Sequence, residues 1–203
     1  MQNVLKKVSR GIIIVVLYVT YKCFYGMKII GRNNIPKEGA IVFCGNHKSY
    51  FDGPAITITN GRKTRFIAKE ELKNSFFPAF LCWAFESIMV KRDSKDLAPI
   101  KEALKTLKSG ECLGIFPEGT RNGGIEKEGT ELKSGASYFA LKTGAQMVPV
   151  GIIGDGKAFH RNTVVYGKPM DLSMYQDVKI DKEIEEKVNE DLKKQILSLM
   201  KER

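Results

Sequence analysis

The chain has 203 residues, 43% hydrophobic and 28% charged, a composition that excludes an intrinsically disordered protein and fits one globular domain. Its 33 lysine and arginine residues outnumber 23 acidic residues, so the formal net charge is +10. This charge either serves solubility alone or favours a polyanion: an anionic membrane, a phosphorylated substrate or a nucleic acid. Because the basic residues are scattered along the chain, nucleic acid is disfavoured.

The four cysteines lie far apart in the chain, and none belongs to a C-x-x-C pair. Each lies in an apolar stretch, where cysteine is typically a small core residue. We therefore expect neither a disulfide framework nor a zinc site, and the pattern fits a reducing cytosol.

Residues 1–30 are predicted to form a membrane-associating helical segment, followed by one α/β domain over residues 31–203. The uninterrupted apolar run, 12–19, is shorter than the about 20 residues of a membrane span. Lysine and arginine residues precede this run and tyrosines follow it, which is typical of a helix in the membrane interface, its cationic end toward the cytoplasm. A buried helix of a soluble domain is the alternative. No convincing cleavage site follows, so a secretory signal is disfavoured.

Downstream, short apolar strands alternate with helical segments. Strands are predicted at 40–44, 66–68, 87–90, 112–116, 147–153 and 163–166. Helices are predicted from Asp52, at 72–85 with an interruption or bend at Pro78, at 97–107, at 135–142 and at 184–199. The alternation predicts an α/β layered fold, a mostly parallel mixed sheet flanked by helices, with the interfacial helix at the N-terminus.

The first polar cluster, residues 46–52 (NHKSYFD), follows a predicted strand. A neutral imidazole such as that of His47 is a competent general base near neutral pH, and Asp52 could orient it through the other ring nitrogen. Because no serine or cysteine is an evident partner, His47 would act directly on a substrate hydroxyl. The alternative is a loop histidine beside an aspartate that only caps the next helix.

The second polar cluster, residues 116–121 (FPEGTR), also begins where a predicted strand ends, a place where open α/β sheets bind ligands. Gly119 allows close backbone approach, Thr120 offers a hydroxyl, and Arg121 provides a forked donor that matches phosphate oxygens. An ordinary turn with a solvated arginine is the alternative.

Together these clusters resemble the ordered motifs of the 1-acylglycerol-3-phosphate acyltransferase family of glycerolipid acyltransferases. The matching segments are 46–52, 116–121 and 148–150 (VPV); 88–92 (IMVKR) resembles the family's second motif and 133–136 (KSGA) its basic-Gly-Ala segment. The second motif usually opens with a glycine, where this chain has Glu86-Ser87.

The resemblance implies transfer of a fatty acyl group from acyl-CoA or acyl-carrier protein to the sn-2 hydroxyl of lysophosphatidate, giving phosphatidate in phospholipid biosynthesis. It implies His47 as the general base and Asp52 as its orienting partner, without metal, cofactor or covalent acyl-enzyme. The residues implied for the acceptor site are Arg92, Glu118, Gly119, Thr120, Arg121 and Lys133, with Arg121 the first choice for the phosphate.

With the basic N-terminus, the resemblance also implies a peripheral or monotopic protein on the cytoplasmic face of the cell membrane, binding membrane lipid and no nucleic acid. The aromatic helix 72–85 is then a core helix, or it lines a groove for the acyl chain or contacts lipid. Three alternatives stay open: the same chemistry on glycerol 3-phosphate or another lysolipid, a thioester hydrolase in which His47 activates water, and a basic membrane-binding module without activity.

Overall fold

A computed structural model describes residues 2–91, 96–119, 124–127, 130–175 and 178–202. The helices are α1 Gln2–Phe24, α2 Asp52–Thr59, α3 Phe76–Ala84, α4 Ala98–Lys108, α5 Gly135–Thr143 and α6 Lys182–Leu199. The strands are β1 Lys28–Ile30, β2 Ile41–Gly45, β3 Thr64–Lys69, β4 Ile88–Val90, β5 Cys112–Ile115, β6 Gln146–Ile153 and β7 Thr163–Tyr166.

The described strands form one sheet in the order β1-β7-β6-β2-β5-β3-β4. All neighbouring pairs are parallel except β6 and β7, which are antiparallel. The predicted mostly parallel mixed sheet flanked by helices is therefore confirmed. Strand β1 was not predicted, because three residues are too few to show a period. It ends the segment predicted over residues 1–30 and pairs with β7.

A hydrophobic core lies on each face of the sheet. Side chains of β2 alternate between the two cores: Ile41 and Phe43 belong to the core under α1, α2 and α3, whereas Val42 and Cys44 belong to the core under α4, α5 and α6. All four are fully buried, as expected for a central strand covered on both faces. The apolar stripe of α6, with Val188, Leu192 and Ile196, packs into the second core.

Helix α1 lies against the first core and leaves an apolar face exposed. Tyr21 is buried in the core, while Val8, Ile12, Val15, Val16 and Val19 are exposed on the outer side. Their spacing of three and four residues is that of one helix face. Within the described residues, no helix combines the length and apolar character needed to cross a membrane.

The aromatic segment 72–85 is helical, but its interruption lies before the predicted position. A 3-10 turn, Glu70–Asn74, ends at Ser75, and α3 then runs from Phe76 to Ala84. Pro78 is the third residue of α3. Backbone N–H groups in the first turn have no acceptor within the helix, so the absence of an N–H at Pro78 costs no helical hydrogen bond. The bend predicted at Pro78 is therefore wrong, because proline is compatible with a first helical turn.

Close packing at β5 gives a stability test. A Cβ atom added at Gly114 would overlap the ring of Phe66, which is buried and packed in the first core. We expect Gly114→Ala to lower the free energy of unfolding by about 1–3 kcal/mol, the usual cost of overpacking. Urea denaturation followed by circular dichroism measures this.

The matched control is Gly11→Ala, because Gly11 lies within helix α1 with open space around its Cα. There alanine is expected to raise stability by about 0.5–1 kcal/mol through helix propensity. Equal unfolding midpoints for Gly114→Ala and the wild type would contradict this account of the packing.

Candidate active site

The two polar clusters meet because their strands are neighbours. Strands β2 and β5 pair in parallel, with Cys44 opposite Ile115 near their carboxyl ends. The loops that follow therefore leave the same edge of the sheet side by side. The backbone N–H of His47 donates a hydrogen bond of 3.0 Å to Glu118 Oε1, which joins the two clusters directly.

His47 and Asp52 form a hydrogen-bonded pair. His47 Nδ1 lies 2.8 Å from Asp52 Oδ2, and the same oxygen accepts the backbone N–H groups of Lys48 and Ser49, each at 2.7 Å. Asp52 is only 3% exposed, so these bonds replace the water that the carboxylate has lost. Phe51 occupies the N-cap position of α2 and Asp52 is the first residue of that helix, so Asp52 does not have the capping role that the alternative gave it.

The Asp52 contact determines which nitrogen of His47 carries the proton. An ionised carboxylate only accepts hydrogen bonds, so Nδ1 is the protonated nitrogen of the neutral ring. Nε2 then has a free lone pair and can accept a proton from a substrate. The imidazolium formed by that transfer would be stabilised by Asp52, the arrangement that general base catalysis by histidine uses.

Two further side chains hold the histidine loop, in roles that no sequence pattern indicates. The His47 ring stacks on Phe116, with centroids 4.0 Å apart and planes 7° apart. Asn46 is fully buried and bridges to β6: its Nδ2 donates to Ile152 O and its Oδ1 accepts from Ile152 N, at 2.9 and 2.6 Å. Both residues belong to the motifs, but a motif does not show where a side chain points.

Glu118 faces the histidine loop. Its burial is the main influence on the carboxyl group and raises its pKa, although the hydrogen bond from His47 N–H acts in the opposite direction. The side chain of Glu118 thus holds the backbone at His47.

Gly119 and Lys133 lie together at the same site. Gly119 has φ +68°, a left-handed conformation, and a Cβ atom there would come within 2.8 Å of Lys133 Cε. The backbone N–H of Lys133 donates to Pro117 O at 2.8 Å. Glycine therefore lets the lysine side chain lie across the turn. The predicted residues Arg92, Thr120 and Arg121 lie outside the described residues.

A cavity of about 350 Å³ opens beside these groups, with His47, Gly119 and Lys133 in its lining. Phe116 and Phe66 form part of its wall. The aromatic segment supplies a further apolar part of the wall: Leu72, Pro78, Leu81, Cys82 and Phe85. The cavity thus joins a proton acceptor and a cation to a mainly hydrocarbon lining. In the ranges described, no three His, Cys, Asp or Glu side chains are grouped as a metal site.

Comparisons with known proteins show the family to which the chain belongs. The sequence model of the Acyltransferase family matches residues 26–153. The 1-acyl-sn-glycerol-3-phosphate acyltransferase of Borreliella burgdorferi is 34% identical over 143 residues, which cover 68% of this chain and 56% of that protein. The enzyme of that name from Bacillus subtilis is 30% identical over 154 residues, covering 71% and 74%.

The crystal structure of the 1-acyl-sn-glycerophosphate (LPA) acyltransferase from Thermotoga maritima has the same fold. Its TM-score is 0.69, at 23% sequence identity, over 97% of this chain and 83% of that one. The family match, the two relatives and the motif resemblance agree. The chain therefore belongs to the acyltransferase family, and within it to the 1-acylglycerol-3-phosphate acyltransferases.

Proposed function

We propose that this chain transfers a fatty acyl group from acyl-CoA or acyl-carrier protein to the sn-2 hydroxyl of 1-acylglycerol 3-phosphate, giving phosphatidate for phospholipid biosynthesis. The observation that carries the proposal is the His47–Asp52 pair at the polar end of an apolar cavity. A base at this position suits a reaction between a hydroxyl group and a fatty acyl thioester. The names of the relatives support the choice of acceptor.

In the proposed reaction, His47 Nε2 removes the hydroxyl proton as the oxygen attacks the carbonyl carbon of the thioester. The tetrahedral intermediate collapses, the carbon–sulfur bond breaks, and the imidazolium returns the proton to the departing thiolate. Asp52 stabilises the imidazolium through its bond to Nδ1. One ester and one free thiol are formed, and the scheme uses neither metal, cofactor nor acyl-enzyme.

The phosphate of the acceptor is proposed to bind at the Lys133 end of the cavity. An ammonium group attracts a phosphate monoester and donates charge-assisted hydrogen bonds to its oxygens. Arg92, Thr120 and Arg121 are proposed as further phosphate contacts, on the strength of their motif positions. Because Gly119 has no side chain, Lys133 can lie at this site. Glu118 contributes indirectly, by holding the backbone of His47 through a hydrogen bond.

The acyl chain is proposed to lie along the wall formed by α3 and the turn before it. Leu72, Leu81 and Phe85 line the cavity that reaches His47, so a chain bound against them would present its carbonyl to the base. Burial of each methylene group contributes about 0.8 kcal/mol, which makes such a wall an effective holder of a long chain. The proposal thus gives the lining residues of the aromatic segment the groove role, one of the three possibilities that the sequence leaves open.

The outer face of α1 and the aromatic side chains of α3 are proposed to contact the cytoplasmic face of the cell membrane. Phe76 is 89% exposed, and Phe77 and Trp83 are also exposed. Exposed aromatic and aliphatic side chains on adjacent helices are typical of a surface that lies in a lipid interface. The net charge of +10 adds attraction to anionic lipid. A lipid acceptor is then available at the protein surface.

Substitution of the base tests the reaction directly. His47→Ala is expected to lower the rate of phosphatidate formation by a factor of about 10²–10⁴ or more, because proton transfer is lost. Mass spectrometry of phosphatidate made from lysophosphatidate and a long-chain acyl-CoA measures the rate. The matched control is His160→Ala, since His160 is exposed and paired with Asp155, and it is expected to leave the rate unchanged. Full activity in His47→Ala would refute the proposed role of the base.

Substitution of Lys133 tests the phosphate site. Lys133→Gln is expected to raise KM for lysophosphatidate about tenfold, equivalent to 1.4 kcal/mol, because a charge-assisted contact becomes a neutral one. The KM for acyl-CoA is expected to change little. Lys142→Gln, an exposed lysine of α5, is the control. Equal KM values for the Lys133 and Lys142 variants would place the phosphate elsewhere.

Vesicle flotation tests the membrane surface. Val15→Asp and Phe76→Asp are each expected to weaken binding to anionic vesicles at least tenfold, because burying one such side chain contributes about 1.5–3 kcal/mol. Met174→Asp is the control: Met174 is 72% exposed, and its neighbours Leu172 and Tyr175 pack against the other core. Binding by all three variants at the wild-type level would contradict this surface.

A further inference from the structure

The turn between α3 and β4 has an unusual backbone at Glu86. Its φ is 52°, in the left-handed region, where a residue with a Cβ atom is strained and glycine is not. The second family motif usually has glycine at this point, so this chain carries a side chain where the backbone disfavours one. Strained conformations persist when surrounding contacts hold them. At Glu86 such contacts are made by the carboxylate and by the backbone carbonyl.

Three cations surround Glu86. Its Oε1 is bonded to Arg10 Nη1 of α1, and its Oε2 lies 3.2 Å from Lys63 Nζ. Its backbone carbonyl accepts Arg65 Nε at 2.7 Å. Partial burial opposes ionisation, but the hydrogen bond and charge of Lys63 and the charges of Arg10 and Arg65 outweigh it, so the pKa of the Glu86 carboxyl is lowered.

Arg10 makes a second contact with the same corner of the molecule. Its guanidinium carbon lies 5.1 Å from the centroid of the Trp83 ring, within the range of a cation–π interaction. Its side chain is 22% exposed, so solvent screens these contacts less than it screens an ion pair at the surface. One side chain of α1 thus touches both Trp83 and Glu86.

This corner is part of the wall of the catalytic cavity. Cys82 and Phe85, on either side of Trp83, line the cavity, as does Ser87 immediately after Glu86. The chain is tight here: Ser87 N–H donates to Cys82 O at 2.8 Å. Movement of Trp83 or Glu86 would therefore be transmitted to the lining residues beside them.

We propose that Arg10 and Glu86 form an ionic link that fixes helix α1 to the α3–β4 corner and thereby holds the wall against which the acyl chain binds. Arg10 and Glu86 are positioning residues, which act through Cys82, Phe85 and Ser87. The inference rests on the proposed acyl transfer. It adds that binding of the acyl chain depends on the docking of α1, the helix whose outer face is exposed and apolar.

The test compares Arg10→Gln, Glu86→Gln and the double variant in the full chain. Each single variant is expected to raise KM for a long-chain acyl-CoA about fivefold, the upper end for one such ion pair, with kcat within twofold of wild type. The KM for a short-chain acyl-CoA, which does not reach the wall, is expected to stay unchanged. The double variant is expected to match the single ones, because both changes break one link.

Trp83 gives a readout that needs no substrate. It is the single tryptophan of the chain, so its fluorescence reports the Arg10–Trp83 contact. Arg10→Gln removes this contact, and Glu86→Gln removes the carboxylate that holds Arg10 in place. Both variants are therefore expected to change the intrinsic fluorescence. Hydrogen exchange of the α1 amides is expected to rise in the same variants. Lys63→Gln is the matched control, since it removes a cation from Glu86 and leaves the Arg10 contact in place.

Glu86→Gly separates the link from the turn. Glycine relieves the backbone strain but removes the carboxylate, so this variant is expected to share the raised KM and altered fluorescence of Glu86→Gln. Wild-type KM and fluorescence in Glu86→Gly would overturn the proposal, as would additive effects in the double variant. Absence of phosphatidate formation by the wild type would instead count against the proposed function, and the fluorescence and exchange data would still decide the link.

Discussion

Asp52 Oδ2 accepts three hydrogen bonds, from His47 Nδ1 and from the backbone N–H groups of Lys48 and Ser49, where water hardly reaches it. A buried carboxylate is stable only when its oxygens are bonded in this way, so the loop must fold around it. The same bonds orient the imidazole and leave Nε2 to accept a proton. The bonds that hold the loop therefore also orient the imidazole that we propose as the general base.

The rest of the site depends on the parallel pairing of β2 with β5. This pairing sets the turn of residues 116–119 beside the histidine loop, where Phe116 supports the imidazole ring and Glu118 holds its backbone. Asn46 ties the same loop to β6 on the other side. The His47 loop is thus held from two neighbouring strands, while the cavity lining is mainly apolar. This division suits a reaction in which a polar headgroup and a hydrocarbon chain meet at one point.

Much of this arrangement could be predicted from the sequence, because apolar strands alternating with helices indicate a parallel sheet and place polar motifs at its carboxyl edge. The His47–Asp52 pair could be predicted from the spacing of the two residues together with the motif resemblance. The supporting roles of Asn46 and Phe116 could not be predicted, since they depend on neighbouring strands distant in sequence. The interruption at Ser75 could not be placed correctly from the sequence, because proline occurs both in the first turn of a helix and just after the end of one.

In the proposed function, acyl transfer to lysophosphatidate and release of the thiol are one reaction. The most direct measurement follows both products on anionic vesicles, with free thiol and phosphatidate quantified from one mixture of long-chain acyl-CoA and lysophosphatidate. Equal amounts of the two are expected, with no thiol release above background when lysophosphatidate is omitted. Thiol release at the same rate without the acceptor would identify a thioester hydrolase and contradict the proposed acyl transfer.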